Sequence, residues 1–179
     1  MTQTGSVYGE ALYDLAQSEG LSEALLKELT VLAQSFAAEP DFIRLLGTPS
    51  LSKQERCKIL DDSFKGNVHS YVLNFLKILT EKGHIKEYFA CLDAYTRQYN
   101  QDNHILPVDA VSAVALSTEQ ISRLEEKIST LTGKKAQVKN RVDPKCMGGI
   151  VLDYDGTQVD GSVASRMENI RKLLKNTVL

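Results

Sequence analysis

The stretch Asn67–Glu81 reads Asn-Val-His-Ser-Tyr-Val-Leu-Asn-Phe-Leu-Lys-Ile-Leu-Thr-Glu, and it constrains this chain more than any other. Gly66-Asn67 opens it and Gly83 follows it, residue types that favour turns and helix ends. Val68, Val72, Phe75 and Leu79 recur at helical spacing. Leu73 widens that stripe, while Tyr71, Leu76 and Ile78 carry apolar surface outside it. A helix facing a single core needs one apolar stripe. This pattern therefore predicts the central helix of a bundle, with neighbours on several sides and an apolar strip left over for a partner.

The sequence around it is punctuated into further short helices. Ser6 is a candidate N-cap for a helix to about Glu19, with Val7, Ala11, Leu12 and Leu15 on one face and Tyr8 and Ala11 starting a flanking line. Gly20 ends it. Leu21–Glu39 places Leu21, Leu25, Leu29, Leu32 and Phe36 on one side, and Asp41–Leu46 fits one or two helical turns. Gly47-Thr48-Pro49 breaks the chain. Ser52-Lys53-Gln54-Glu55 matches a capping box that launches a helix to about Phe64. His84 to about Asp102 gives another, with Ile85, Phe89, Leu92 and Tyr99 as an inner line beside Tyr88 and Tyr95. Short connections between such helices suit antiparallel neighbours. The expectation is an N-terminal bundle of about six helices over residues 1–104.

The pattern changes at Gln101-Asp102-Asn103-His104. Ile105–Leu116 is rich in Val and Ala with a period near two, a strand signal. Ser117-Thr118-Glu119-Gln120 is a second capping box. It opens a helix whose face is Ile121, Leu124, Ile128 and Leu131, closed by Gly133. Lys135–Val142 alternates, with Ala136, Val138 and Val142 inward and Lys135, Gln137, Lys139 and Arg141 outward, so it reads as a half-buried strand with a basic face. Asp143-Pro144 turns, Gly149–Leu152 begins a strand, and Asp155-Gly156 is a hairpin turn. Ser162 is the expected cap of a last helix with Val163, Met167, Ile170 and Leu174 inside. Residues 105–179 are thus expected to form a small C-terminal α/β domain, which makes the fold class α+β.

Charge follows the same division. The net charge is −2. Met1–His104 holds 10 Lys/Arg against 14 Asp/Glu, and the remainder holds 11 against 9. Neither balance argues for general nucleic-acid or membrane-surface binding. The three cysteines, Cys57, Cys91 and Cys146, are odd in number and show no CxxC spacing, against a disulfide framework or a zinc site. No stretch of about 18 apolar residues occurs, and Met1–Gly5 lacks the basic-then-apolar run of a signal peptide.

The chemical motifs that the sequence approaches are incomplete. Gly133-Lys134 lacks the upstream glycine of a phosphate loop, because Ile128 stands there. Gly148-Gly149 suits a bulge or tight packing at a strand start. Asp153, Asp155, Gly156 and Asp160 do not fit a calcium loop, since Val151 and Ser162 fall where carboxylates belong. His69, His84 and His104 are far apart and no nucleophile motif accompanies them. The basic strand has no interleaved aromatic residues to stack on single-stranded nucleic acid.

One family resemblance emerges from these residues. Val142-Asp143-Pro144-x-x-Met147-Gly148-Gly149-Ile150, Val159-Asp160-Gly161-Ser162-Val163 and Ser165-Arg166-Met167-x-x-Ile170 together resemble the C-terminal signature of the delta subunits of F-type ATP synthases. The mitochondrial counterpart is the oligomycin-sensitivity-conferring protein. Tyr8-x-x-Ala11-Leu12, Asn74-Phe75-Leu76, Glu81-x-Gly83 and Val111-Ser112-Ala113 fit the same family in order, so the resemblance spans essentially the whole chain. Departures are Gly9, expected to cost the first helix about 0.5–1 kcal/mol relative to Ala, Cys146, and Asp153-Tyr154-Asp155.

The resemblance implies a non-catalytic stator subunit, without cofactor or metal, that links the catalytic head to the peripheral stalk in ATP synthesis and ion transport. Its implied partners are the N-termini of the alpha subunits and the b-subunit stalk. It implies one copy per complex, no nucleic acid, and membrane association only through the complex, at the cytoplasmic face of a bacterial membrane. The family's alpha-subunit groove maps onto Tyr8, Ala11, Leu15, Asn74 and Ile78, with Lys77 as a rim charge. The stalk-facing candidates are Lys135, Lys139, Arg141, Asp160, Ser162 and Arg166. Two alternatives from other classes are a ligand-binding or enzymatic protein with a site between the domains, and a nucleic-acid binder using the basic strand.

Overall fold

The computed structural model describes residues 3–48, 51–144, 146 and 148–162. These form seven α-helices and four strands: α1 (Gln3–Ser18), α2 (Ser22–Ala38), α3 (Pro40–Leu46), α4 (Lys53–Phe64), α5 (Ser70–Lys82), α6 (Tyr88–Asp102), β1 (Ile105–Ser112), α7 (Thr118–Thr132), β2 (Lys135–Val142), β3 (Ile150–Tyr154) and β4 (Thr157–Asp160). A 3-10 turn, Ile85–Glu87, leads into α6. The α+β class follows the sequence reading. The chain divides into two compact units, Met1–Tyr99 and Asn100–Leu179.

The first unit is built on α2 and α5. Leu25, Leu29, Leu32 and Phe36 of α2 are buried, as the spacing predicts. Val72, Leu73, Phe75, Leu76 and Leu79 of α5 are buried around most of its circumference. His69 caps α5 by accepting from the Tyr71 N–H at 3.3 Å, and Glu28 of α2 accepts the His69 N–H at 2.7 Å. Gly83, left-handed with φ 78°, closes the helix. The Ser52–Glu55 capping box is complete, with Ser52 N–H to Glu55 Oε2 at 2.8 Å and Glu55 N–H to Ser52 Oγ at 3.2 Å. Phe36 meets Tyr88 edge-to-face at 5.0 Å and stacks on Phe42 at 5.9 Å. The buried Tyr88 hydroxyl donates to Leu29 O at 2.7 Å and Tyr95 to Ser22 O at 2.9 Å, so neither phenol is left unsatisfied.

Two helices turn differently from the sequence reading. The first begins at Gln3, so Ser6 lies inside it and is no cap. Its inner face is Leu12, Tyr13 and Ala16, leaving Val7 60% and Leu15 41% exposed and Ala11 exposed beside them. The reason is Gly9. A Cβ built there would collide with the Cys91 carbonyl oxygen and lie 2.8 Å from Ala94 Cβ, so α1 presents its bare backbone to α6. Tyr13 then packs edge-on against Tyr95 at 5.3 Å. In α6 the inner line is Tyr88, Cys91, Ala94 and Tyr95, and Phe89 is 42% exposed instead of inward.

The second unit is a four-stranded sheet of order β2-β1-β3-β4. β1 and β2 run parallel, joined by α7, and β3 and β4 form an antiparallel hairpin on the other side of β1. Its turn, Asp155 with φ 51° and Gly156 with φ 74°, has the paired positive φ that twisted hairpins require. Leu106, Val108, Ile128 and Ala136 are buried, with Leu124, Val138, Leu152 and Tyr154 packed on them. The capping box Ser117–Gln120 is formed, with bonds of 2.8 and 3.2 Å. β1 ends at Ser112, earlier than the predicted Leu116. Leu131 is 86% exposed and Val142 is exposed, so the buried side is narrower than the patterns predicted. Residues 163–179, where the last helix was expected, lie outside the described residues.

Candidate partner-binding surfaces

The bundle hides nearly all of α5. Of its apolar residues, Tyr71 is half-buried and only Ile78, at 45%, is exposed. The surplus predicted for the central helix is therefore one side chain wide, and the larger surplus lies on α1. Val7, Ala11 and Leu15 follow one another at four-residue steps, which align side chains along one line of a helix. Val7 was not among the sequence candidates, although its spacing from Ala11 and Leu15 placed it on their line.

Tyr8 sits beside that line, half-buried, and its ring centroid is 6.1 Å from that of His84, the residue after Gly83. This contact brings α1 to the C-terminal end of α5. Asn74 and Ile78, four residues apart, are both exposed on α5. Lys77 pairs through its ammonium with Asp61 of α4 at 2.6 Å, and its side chain as a whole is about three-quarters buried. The pair ties α5 to α4. His84 Nδ1 lies 3.8 Å from Glu87 Oε1.

On the sheet, the register sorts the second set of candidates. Residues paired across neighbouring strands share a face. α7 covers the face of Leu106, Val108, Ala136 and Leu152. The opposite face carries a row Arg141–Val111–Val151–Asp160 across all four strands. The next row is Lys139–Asp109–Asp153–Gln158, whose four members are exposed. Lys135 pairs with Ile105 on the same face. Thus Lys135, Lys139, Arg141 and Asp160 all look out from one side of the sheet. Arg166 lies outside the described residues. Ser162 is buried, and its hydroxyl and backbone N–H, the latter 2.8 Å from Asp160 Oδ1, hold the Asp160 carboxyl below the usual carboxylate range. Asp109, Asp153 and Asp160 give this face mixed charge, unlike the continuous basic stripe that follows a phosphate backbone.

The remaining chemistry is structural. His69 caps a helix, and His104 is exposed at a turn with φ 52°. Burial pushes the Cys91 thiol up to about 11 and raises the Cys57 thiol, so neither is poised as a nucleophile. Gly149 has φ 86° and a Cβ on it would lie 2.5 Å from Gly161 O, a close backbone approach in keeping with the packing role read from Gly148-Gly149. Among the described residues, no group of three or more His, Cys, Asp or Glu is placed to hold a metal, and no helix is long and apolar enough to cross a membrane.

Comparison with known proteins adds four findings. The family described as ATP synthase delta (OSCP) subunit matches residues 5–174. An ATP synthase subunit delta of Clostridioides difficile (strain 630) is 31% identical over 172 residues, covering 96% of this chain and 95% of the relative. One from Lactobacillus delbrueckii subsp. bulgaricus is 33% identical over 176 residues, covering 96% of each. Among solved structures, a chain of the Toxoplasma gondii mitochondrial ATP synthase hexamer superposes with a TM-score of 0.74 at 16% identity, covering 97% of this chain and 98% of that one, a likeness of fold.

Proposed function

This chain belongs to the ATP synthase delta (OSCP) subunit family, and on that premise we propose that it ties the alpha-subunit N-termini of the catalytic head to the b-subunit peripheral stalk. As a delta subunit it is a non-catalytic stator subunit of an F-type ATP synthase, associated with the membrane through that complex. The expected setting is the cytoplasmic face of a bacterial membrane, with one copy in each complex.

The observation that carries the reading is the uncovered line Val7, Ala11 and Leu15 on α1, with Ile78 exposed on α5 and Tyr8 against His84 linking the two helices. An amphipathic helix recognises such a surface by placing its i, i+3 and i+4 apolar residues on it. An alpha-subunit tail is the occupant the family implies. Asn74 offers an amide to the tail backbone or a polar side chain at the same place.

The stalk candidates are separate from this surface in sequence; Lys135, Lys139, Arg141 and Asp160 are on the sheet and Ser162 follows its last strand. Two contacts on one chain raise the effective concentration of each partner for the other, so modest individual affinities give a durable link. That is what a stator needs while the rotor exerts torque. The chain contributes affinity and stiffness and performs no chemical step.

The test is sedimentation of purified catalytic head with a soluble b-subunit fragment, with and without this chain. The chain is expected to bring head and fragment into one complex. Head and fragment that co-sediment equally without it, or stay apart with it, would overturn the proposal.

A further inference from the structure

We propose that the tail seated on α1 is cationic along one flank, and that Glu10 and Asp14 select it by pairing with Lys or Arg side chains on that flank. The inference rests on the stator reading and deepens it. It assigns the residues that choose the partner's charge, where the apolar line alone accepts any amphipathic helix.

The charge of α1 is unlike that of its neighbours. Gln3–Ser18 holds Glu10 and Asp14 and no Lys or Arg, whereas every other described α-helix carries both signs. Three other exposed helix faces place opposite charges three or four residues apart and pair them: Glu23 with Lys27 at 2.7 Å, Asp41 with Arg44 at 2.9 Å and Glu119 with Arg123 at 2.6 Å. Glu10 and Asp14 are like charges at i, i+4, a spacing at which they repel. Both are exposed, and no described residue forms an ion pair with either. Neither lies in the first turn, where the helix dipole favours a carboxylate. On α1 itself the two carboxylates are a cost, which a cation from outside relieves.

Their placement makes them a border of the apolar line. Ala11 and Leu15 each follow one of the acids in sequence, about 100° further round the helix, so Glu10 and Asp14 run beside Val7, Ala11 and Leu15. Tyr8, with its ring near His84 at the end of α5, lies on the other side of that line. The acids therefore border α1 on the side away from α5. On α5, Asn74 is neutral and the exposed Lys82 of the last turn brings the opposite sign. The Glu81 carboxylate accepts from the Cys57 thiol of α4 at 3.6 Å. Lys and Arg lay their apolar stems along such a line and hold their charged ends out to its border.

A border of this kind acts on selection and encounter more than on affinity. Exposed ion pairs strengthen binding by up to about fivefold each. Complementary charge speeds association, and like charge raises the cost of the wrong partner. An amphipathic helix with carboxylates on that flank meets Glu10 and Asp14 and is disfavoured. A second copy of this chain is disfavoured in the same way, because an α1–α1 contact through the apolar line brings four carboxylates to its borders.

The experiment follows binding of a peptide from an alpha-subunit N-terminus to the full chain and to Glu10→Gln/Asp14→Asn, by stopped-flow and calorimetry at low and high salt. At low salt the native chain is expected to bind faster than the variant and at least about threefold more tightly, with the difference lost at high salt. The variant should unfold at the same temperature or higher, because it loses a like-charge pair. A peptide with its Lys and Arg residues replaced by Gln should bind the two chains alike. Equal or tighter binding of the original peptide by the variant at low salt would overturn this inference while leaving the stator reading intact. Weaker binding by a variant that also unfolds at a lower temperature would overturn it too, the carboxylates then serving the fold. Absence of binding by the native chain would overturn both.

Discussion

Gly9 of α1 lies against the carbonyl of Cys91 in α6 so closely that a Cβ at position 9 would occupy the space of that oxygen. A glycine that lowers helix propensity thus allows two helix backbones to touch. The contact also sets the rotation of α1, turning Leu12, Tyr13 and Ala16 inward and Val7, Ala11 and Leu15 outward. Gly9→Ala should improve propensity by about 1 kcal/mol in isolation. In the folded chain it should instead destabilise by about 1–3 kcal/mol, the usual cost of overpacking. Urea denaturation at unchanged slope checks the sign.

Arg56 of α4 ties two helix ends. Its Nη1 donates to Leu46 O, the last residue of α3, at 3.1 Å, and to Thr80 O near the end of α5 at 3.4 Å. Helix ends leave carbonyls without intrahelical partners, and charged donors are among their stronger ones. Arg56→Met should lower stability by about 1.5–3 kcal/mol. Thermal unfolding should show the loss, with faster amide exchange in the last turn of α5.

The α4 cap should respond to acid. Bonds from the Ser52 hydroxyl and backbone N–H hold the Glu55 carboxyl below its ordinary value. A carboxyl depressed in the folded state stabilises it above the unfolded value of about 4.3, and that contribution is lost as pH falls through the folded value. Amide exchange in the first turn of α4, corrected for its intrinsic pH dependence, should rise across that acidic window. Glu55→Gln keeps an acceptor without a titratable proton and should flatten the dependence. Equal profiles would contradict the assignment.

Cys91 is buried, and its thiol is pushed up to about 11 by desolvation, with Glu87 adding to the shift. Since the thiolate is the reactive form, a thiol reagent at pH 8 should leave Cys91 unlabelled in the native chain and label it in denaturant. Mass spectrometry of the labelled peptides reads the result.

Much of this fold was legible because its punctuation is local. Ser52 with Glu55, Ser117 with Gln120, and Asp155-Gly156 each determine a start or a turn from a few neighbouring residues. The alternation of Lys135–Val142 gave β2 its limits and its basic face. What the sequence hid was rotation about helix axes. The apolar residues of α1 fill more than one side, and only the Gly9–Cys91 approach, between residues 82 positions apart in sequence, chooses which side is buried. Phe89 was misplaced for the same reason, because Tyr88, Cys91 and Tyr95 form an equally good helical line. The Lys77–Asp61 pair was hidden because Asp61 is on another helix. The common face of Lys135, Lys139, Arg141 and Asp160 required strand register, which no single stretch encodes.

The central claim is that the exposed residues of α1 and α5 hold an alpha-subunit tail. Calorimetric titration of the full chain with a peptide from an alpha-subunit N-terminus, repeated with Ala11→Asp and Ile78→Asp, tests it most directly. Both positions are exposed, so each variant should fold as the native chain does. The native chain should bind and both variants should bind at least tenfold more weakly, because each places an unpaired charge in an apolar contact. No binding by the native chain, or equal binding by all three, would contradict the account.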